Sequence, residues 1–246
     1  MDVTNSNYLY YSHTTLPSNS LLRNYSFCLD KTKYAALWVA YPLHDCYIGS
    51  AKRTDAFGYD PNVNQSYQAN IGSGAYSTNG TQSHSRGHQL PSADRTASTE
   101  DNRTTFYATN MTPQLQTLNG GIWNDLEGKV RGWICSDTLY VVTGSYFDPS
   151  RVTYATDKGN KSCAVPTHYY KVLLRTKAGT TGKRVADCTA AELECIGFVF
   201  DHSAGSWTIS NGMRTVKQIE DLVGFTFFAN VPNAPKTTFT ASDWGL

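Results

Sequence analysis

Three blocks within residues 85–131 of this 246-residue chain gather side chains able to do acid–base and phosphate chemistry. The first is Ser85-Arg86-Gly87-His88. A neutral imidazole, with a reference pKa of about 6.5, takes a proton from water near neutral pH, so His88 is a natural general base. The neighbouring Arg86 offers forked hydrogen bonds to a phosphate, and Gly87 lets backbone approach a ligand. The second block is Asn110-Met111-Thr112-Pro113-Gln114, and the third runs from Asn119 through Trp123 and Glu127 to Arg131. On a continuous helix, positions four apart drift by only about 40° per step, so Asn119, Glu127 and Arg131 border one cleft while Trp123 and Leu126 face a core. The amide oxygen of Asn119 suits Mg²⁺, a hard ion that keeps most of its water and takes few protein oxygens. Each block alone has an ordinary reading: a solvated Arg-Gly-His turn, an Asn119 helix N-cap, a Glu127–Arg131 surface pair worth about 0.3–0.5 kcal/mol. Only the combination is diagnostic. His13, His44, His84, His168 and His202 have no comparable partner pattern and are assigned no catalysis.

The elements that must hold these blocks follow from hydrophobic periodicity. Tyr25 to Leu29 and Tyr34 to Tyr41 read as strands joined by the polar turn Asp30-Lys31-Thr32-Lys33, the second apolar enough to be buried on both faces. Residues 54–85 are rich in Gly, Asn, Ser, Tyr and Gln with few aliphatics, which predicts a long irregular loop, functional or mobile. Apolar residues at three- and four-residue spacing predict one amphipathic helix over Asn119 to Ile134. Strands are expected at Leu139 to Thr143, Tyr169 to Leu174 and Ile196 to Phe200, and a short helix at Val216 to Val223 ending on Gly224. This order is α+β, with a flexible N-terminal segment over residues 1–22 and a single domain over 23–246.

With 21 Lys+Arg against 20 Asp+Glu the formal net charge is +1, so any nucleic-acid contact is local rather than the work of a globally basic surface. No segment approaches the roughly 18 consecutive apolar residues of a membrane span. Gly179-Thr180-Thr181-Gly182-Lys183 lacks P-loop spacing, and six cysteines without a C-x-x-C pair argue against zinc. An even cysteine count in a polar, Tyr- and Asn-rich chain predicts an oxidising compartment, with Cys188–Cys195 the easiest bridge. The first 25 residues show no signal-peptide pattern, and N-x-S/T sequons stand at Asn24, Asn64, Asn79, Asn102, Asn110 and Asn160. Because a glycan at Asn110 would block the motif region, the expectation is a bacterial extracytoplasmic protein, secreted, periplasmic or surface-anchored.

Taken in order, the blocks resemble the DNA/RNA non-specific endonuclease family, the ββα-metal nucleases that include sugar-nonspecific and endonuclease G-like enzymes. The family pattern is Asp-Arg-Gly-His, then Asn-x-x-Pro-Gln, then Asn-x-x-x-Trp-x-x-Leu-Glu with an Arg four residues on. Only the leading Asp departs, standing here as Ser85. Weaker echoes include Trp38-Val39-Ala40-Tyr41, Arg53, and Val165 through Val172. The resemblance implies a ββα-metal nuclease fold, a central antiparallel sheet flanked by helices, with His88 on or just after the second strand of the motif and Asn119 opening the crossing helix. It implies a Mg²⁺-dependent endonuclease, with Mn²⁺ or another divalent ion able to substitute, cleaving DNA and RNA to 5′-phosphate products. His88 is then the general base, Asn119 the sole direct protein ligand to the metal, and Glu127 the orienter of water about the ion. Arg53, Arg86 and Arg131 neutralise phosphate charge, and Asn110, Gln114 and Ser85 support substrate or the metal surroundings. Backbone-only contact explains indifference to base sequence. Two rivals are a nucleic-acid-binding module of impaired chemistry on the same scaffold, suggested by Ser85, and a secreted glycan binder, suggested by the 13% aromatic content.

Overall fold

The computed structural model describes residues 5–15 and 22–246. The strands are β1 Tyr8–Thr14, β2 Arg23–Asp30, β3 Ala35–Leu43, β4 Ser77–Thr78, β5 Thr81–Gln82, β6 Ser85–His88, β7 Met111–Gln114, β8 Leu139–Tyr146, β9 Thr153–Thr156, β10 Ser162–Val165, β11 His168–Thr176, β12 Leu193–Asp201 and β13 Met213–Arg214. The α-helices are α1 Thr99–Thr104, α2 Gln116–Asn119, α3 Ile122–Gly132, α4 Ile209–Gly212 and α5 Val216–Val223. Seven strands pair in the order β1-β2-β3-β8-β11-β12-β13, every contact antiparallel. Four short strands, β10-β9-β4-β5, form a second sheet, and β6 and β7 form a separate hairpin.

Strand alternation divides the core. Val141 and Leu173 lie opposite each other and turn toward α3, whose Trp123, Leu126 and Val130 cover them together with Tyr41, Tyr169 and Phe198. Their neighbours Val142 and Val172 turn to the other face, where Val216 and Ile219 of α5 pack with Leu174 and Phe227. Covering on both faces is why the central strands read as continuous apolar runs. Helix α5 has the predicted bounds; Thr215 caps its start, and Gly224 closes it at φ 76°, where a side chain would be strained.

Two expectations change. The N-terminal segment expected to be flexible contains β1, which pairs along β2 from Tyr8↔Asp30 to Thr14↔Arg23. It is fastened by His13, whose Nε2 lies 2.8 Å from Oδ2 of the buried Asp60, an atom that also accepts from Thr109 Oγ1. Residues 1–4 and 16–21 of that segment lie outside the described residues. The 54–85 stretch is irregular as expected, yet Ala69, Ile71, Ala75 and Tyr76 are buried against Phe106, Met111 and Val165, so it packs as a wall beside the hairpin rather than as a mobile loop. A sparse aliphatic count hid a small core to which this stretch contributes two alanines, an isoleucine and a tyrosine.

Candidate active site

The β6–β7 hairpin pairs His88 with Met111 and Arg86 with Pro113. Alternation therefore puts Arg86 and His88 on one face, with Ser85 and Gly87 on the other. Gly87 has to be glycine: a Cβ there would lie 2.3 Å from Oε1 and 2.6 Å from Cβ of Gln114. Phe57 and Phe106 meet the His88 ring edge to face, with centroids at 6.1 and 4.8 Å, and Nε2 is sealed without a hydrogen-bond partner among the described residues. Burial, reinforced by Arg53 and Arg86, lowers the His88 pKa to about 3, so the ring is neutral at pH 7 and able to accept a proton. The two arginines are held by the same aromatic pair. Arg86 lies over Phe57 at 3.4 Å and donates to the Ile71 carbonyl at 3.1 Å; Arg53 lies over Phe106 at 4.8 Å and donates to Ser92 Oγ at 3.2 Å and Asp55 Oδ1 at 2.7 Å. Two cations stand beside one neutral base.

Across from them runs the helical segment, which is not one helix. Gly120 and Gly121 interrupt it, so Asn119 ends the short α2 and α3 starts afresh at Ile122 with Gly121 as its N-cap. The continuous ridge through Asn119, Glu127 and Arg131 is thus corrected, and so is the N-cap reading of Asn119. Glycine pairs lose the most backbone entropy in a helix, which favours a break there. The strand carrying His88 meets α2 through Ser85 Oγ, which donates to Gln116 Oε1 at 2.5 Å. Arg131 turns from Glu127 to the buried Asp94, Nη1 to Oδ1 3.0 Å, so no i,i+4 pair forms. Asp94 also accepts from the Tyr41 hydroxyl at 3.2 Å.

Sequence reasoning gave no role to Lys171, which is fully buried in the middle of β11. Its register with Thr143 turns it toward α3, where Nζ donates to Thr143 Oγ1 at 2.8 Å and lies 4.4 Å from the Trp123 ring centroid. Burial pushes the Glu127 carboxyl up and the Lys171 ammonium down, and each opposes the shift of the other, with Asp94 acting on both. The Arg53 charge also acts on both Glu127 and His88. The signal for Lys171 was present: a lysine in an otherwise apolar strand, Tyr169-Tyr170-Lys171-Val172-Leu173, is seldom buried without a charged partner. Asp94, Phe57 and Phe106 carried no such signal, because their roles come from packing alone.

Of the other expected residues, Asn110 and Gln114 are buried and Ser85 is half-buried. Asn110 is fully buried: its Oδ1 accepts from the Leu90 amide at 2.9 Å, and its Nδ2 donates to the Leu90 and Thr105 carbonyls at 2.9 and 2.7 Å. It holds the hairpin and cannot touch substrate. Gln114 is fully buried beneath Gly87, with both amide atoms unpartnered among the described residues. Ser85 anchors α2, a role that needs no carboxylate. Arg95 is sealed against Tyr41 and Tyr47, with hydrogen bonds to Asn24, Asp94 and Pro42. Half-buried Asn119 makes no side-chain hydrogen bond among the described residues, and no group of three or more His, Cys, Asp or Glu converges there to hold an ion. One open amide oxygen with a carboxylate on the next helix fits a hard, largely hydrated divalent cation and not zinc.

The sequence profile of the DNA/RNA non-specific endonuclease family matches residues 5–234. A protein named Nuclease from Nostoc sp. is 30% identical over 225 residues, 88% of this chain and 76% of that protein. The Xenopus laevis protein named Nuclease EXOG, mitochondrial, is 30% identical over 83% of this chain, and human Endonuclease G, mitochondrial, 33% identical over 63%; the chain spans 56% and 54% of their lengths. A chain in the solved EndoG/EndoGI complex superposes with a TM-score of 0.67 at 24% identity, covering 93% of this chain and 90% of that one, which shows the shared ββα-metal fold. An extracytoplasmic location is corrected by these relatives, several of which are named mitochondrial. The expected Cys188–Cys195 bridge is not formed. No disulfide joins any of the six, Cys188 Sγ lies 3.5 Å from the Arg184 carbonyl, and the sequon residues Asn24, Asn102 and Asn110 are fully buried. Of the aromatic residues that suited a glycan binder, Tyr25, Phe27, Tyr76, Phe106, Tyr169, Tyr170, Phe198 and Phe200 are sealed in the core, and Tyr11, Tyr67 and Tyr154 are exposed. A profile match over nearly the whole chain and a 30% identical relative along 88% of it make this protein a member of the DNA/RNA non-specific endonuclease family.

Proposed function

We propose that this chain is a divalent-metal-dependent, sugar-nonspecific endonuclease that uses Mg²⁺, or Mn²⁺ in its place, to hydrolyse DNA and RNA to 5′-phosphate and 3′-hydroxyl ends. The observation that carries the reading is a neutral, partly accessible His88 clamped between Phe57 and Phe106 and flanked by Arg53 and Arg86. With Nε2 sealed, Nδ1 is the atom that takes a proton from the attacking water. The water oxygen bonds to phosphorus, the P–O3′ bond breaks, and the 3′ oxygen leaves to be protonated by solvent. Arg53, Arg86 and Arg131 hold the phosphate and gain most as charge builds on its oxygens, because their guanidiniums are fixed before substrate arrives. Asn119 would hold the ion, which when bound stabilises the scissile phosphate and the leaving oxygen. Glu127 accepts hydrogen bonds from water beside Asn119, a task that requires its ionised form.

Supercoiled plasmid and a structured RNA, each incubated with Mg²⁺ and with EDTA, test the reading, with product ends assayed for 5′-phosphate by ligation. Cleavage of both, abolished by EDTA, is expected. His88→Ala is expected to lower kcat by about 10²–10⁴ while leaving DNA binding in place, since the arginines survive. DNA binding without cleavage by the wild-type protein would identify the impaired binding module instead.

A further inference from the structure

We propose that His202 is a positioning residue for the turn that carries Asn119, acting as a neutral Nδ1–H imidazole that clamps the amide of Leu115. His202 follows β12 of the central sheet, and its two nitrogens have opposite partners. Nδ1 lies 2.7 Å from the Pro166 carbonyl, which can only accept, so Nδ1 carries the proton; Nε2 lies 2.7 Å from the Leu115 N–H, which can only donate, so Nε2 is bare. The two contacts leave one tautomer and exclude the imidazolium. Tyr169 meets the ring edge-on at 5.2 Å, His84 lies at 5.8 Å, and burial lowers the His202 pKa to about 4, so the neutral form holds at pH 7.

Leu115 is the first residue of the turn. Its amide is fixed by His202, and its carbonyl accepts from the Leu118 and Asn119 amides at 3.1 and 2.8 Å. Helix α2 spans only Gln116–Asn119, no side chain caps its start, and Gly120 and Gly121 follow it. One helical turn does not sustain itself in water; its far end is closed by the Gly120 and Gly121 amides on the Gln116 and Leu118 carbonyls and by buried Leu118, and the direction of Asn119 also depends on what holds the near end. Two side-chain hydrogen bonds hold that near end: Ser85 on Gln116 and His202 on Leu115. The second connects α2 to the central sheet rather than to the hairpin, and so sets Asn119 relative to Lys171 and the face on which Glu127 rests. The inference rests on Asn119 being the metal-binding residue.

Long-range ¹H–¹⁵N NMR of the wild-type protein near neutral pH reads the tautomer directly. Protonated Nδ1 with an acceptor-type Nε2 is expected, and a proton on Nε2 would overturn the proposal. His202→Phe removes both contacts, whereas His202→Gln returns an acceptor toward Leu115. Mg²⁺ titration, followed by the Asn119 side-chain amide resonances, is expected to show half-saturation about 10–100-fold higher in His202→Phe, with His202→Gln recovering most of the difference. The Leu115 amide is expected to lose exchange protection in His202→Phe and regain it in His202→Gln. A Mg²⁺ midpoint in His202→Phe within about twofold of wild type would refute the positioning role. If His202→Phe does not fold, the His202→Gln midpoint and the wild-type tautomer decide. Asn119 resonances indifferent to Mg²⁺ in the wild-type protein would remove the metal assignment, while Leu115 protection would still report on the clamp.

Discussion

Replacing Lys171 with Met isolates the electrostatic control of Glu127. Methionine keeps the unbranched stem in a fully buried position and removes the ammonium that donates to Thr143 Oγ1 and lies 4.4 Å over Trp123. The lost hydrogen bond and cation–π contact are worth about 1 kcal/mol each, offset by no longer burying a charge, so Tm is expected to move by only a few degrees. Activity is a different matter. Lys171 is the strongest influence holding the Glu127 carboxyl down against burial, with Arg131 and Arg53 weaker and Asp94 opposed. An opposite charge nearby lowers a carboxyl by about 1–3 units, and each unit is about 1.4 kcal/mol, so removing Lys171 favours the protonated acid by roughly 1.4–4 kcal/mol. The ratio of ionised to protonated Glu127 at neutral pH should fall by about tenfold or more, and kcat/KM should follow the ionised fraction. Profiles of kcat/KM against pH are expected to show the acid limb of Lys171→Met displaced to higher pH by at least about one unit, with activity returning under alkaline conditions. Adding Lys171→Met to Glu127→Gln should cost little more than Glu127→Gln alone, because the lysine acts through the carboxylate. A folded Lys171→Met protein whose activity falls equally at every pH, or whose effect adds fully to that of Glu127→Gln, would refute the reasoning.

Gly144→Ala should destabilise the fold by about 1–3 kcal/mol, or roughly 2–10 °C in Tm, because the new Cβ would lie 2.1 Å from Tyr170 Cζ and 2.5 Å from the Leu37 carbonyl; thermal denaturation reads this. Acid should weaken the protein through its buried histidines. The unfolded chain protonates His202 near the ordinary imidazole pKa of about 6.5, whereas the folded chain does so only at about 4, so stability present above the first value is lost as pH falls toward the second. The loss from His202 amounts to about 3 kcal/mol; buried His88 contributes a loss of the same sign to both proteins, so urea titrations across that window should show the wild-type protein losing about that much more stability than His202→Gln. Arg53, Arg86 and Arg131 are the guanidiniums set around the site, while Arg95 is sealed in the core. Binding of His88→Ala protein to duplex DNA should therefore follow a log–log salt slope near about −3, flattened by about one unit with Arg131→Ala. A slope steeper than about −7 would reveal an extended basic groove.

Local pattern carried much of this protein. Tyr169 to Leu174 is readable as a strand because both of its faces are covered, and Val216 to Val223 as a helix because a capping threonine and a left-handed glycine bracket it. His88 and Arg86 share a face for the same reason in sequence and in space, since strand alternation has period two. Glu127 and Arg131 share a helix turn, yet the partner of each was a matter of tertiary packing: Asp94 for Arg131, Lys171 for Glu127. Asn110 and Gln114 stand in the motif with polar side chains that sequence reads as available for substrate, and only the folded chain shows them occupied or buried beneath the hairpin. The strand β1 looked like a tail because Tyr8–Thr14 shows no period-two alternation, and it becomes a strand only by pairing with β2 and by the His13–Asp60 contact, 47 positions apart. Periodicity and turn chemistry act between near neighbours and are legible one residue type at a time. Which buried charge meets which depends on strand register and layer packing, and those energies exist only once distant segments have closed over one another.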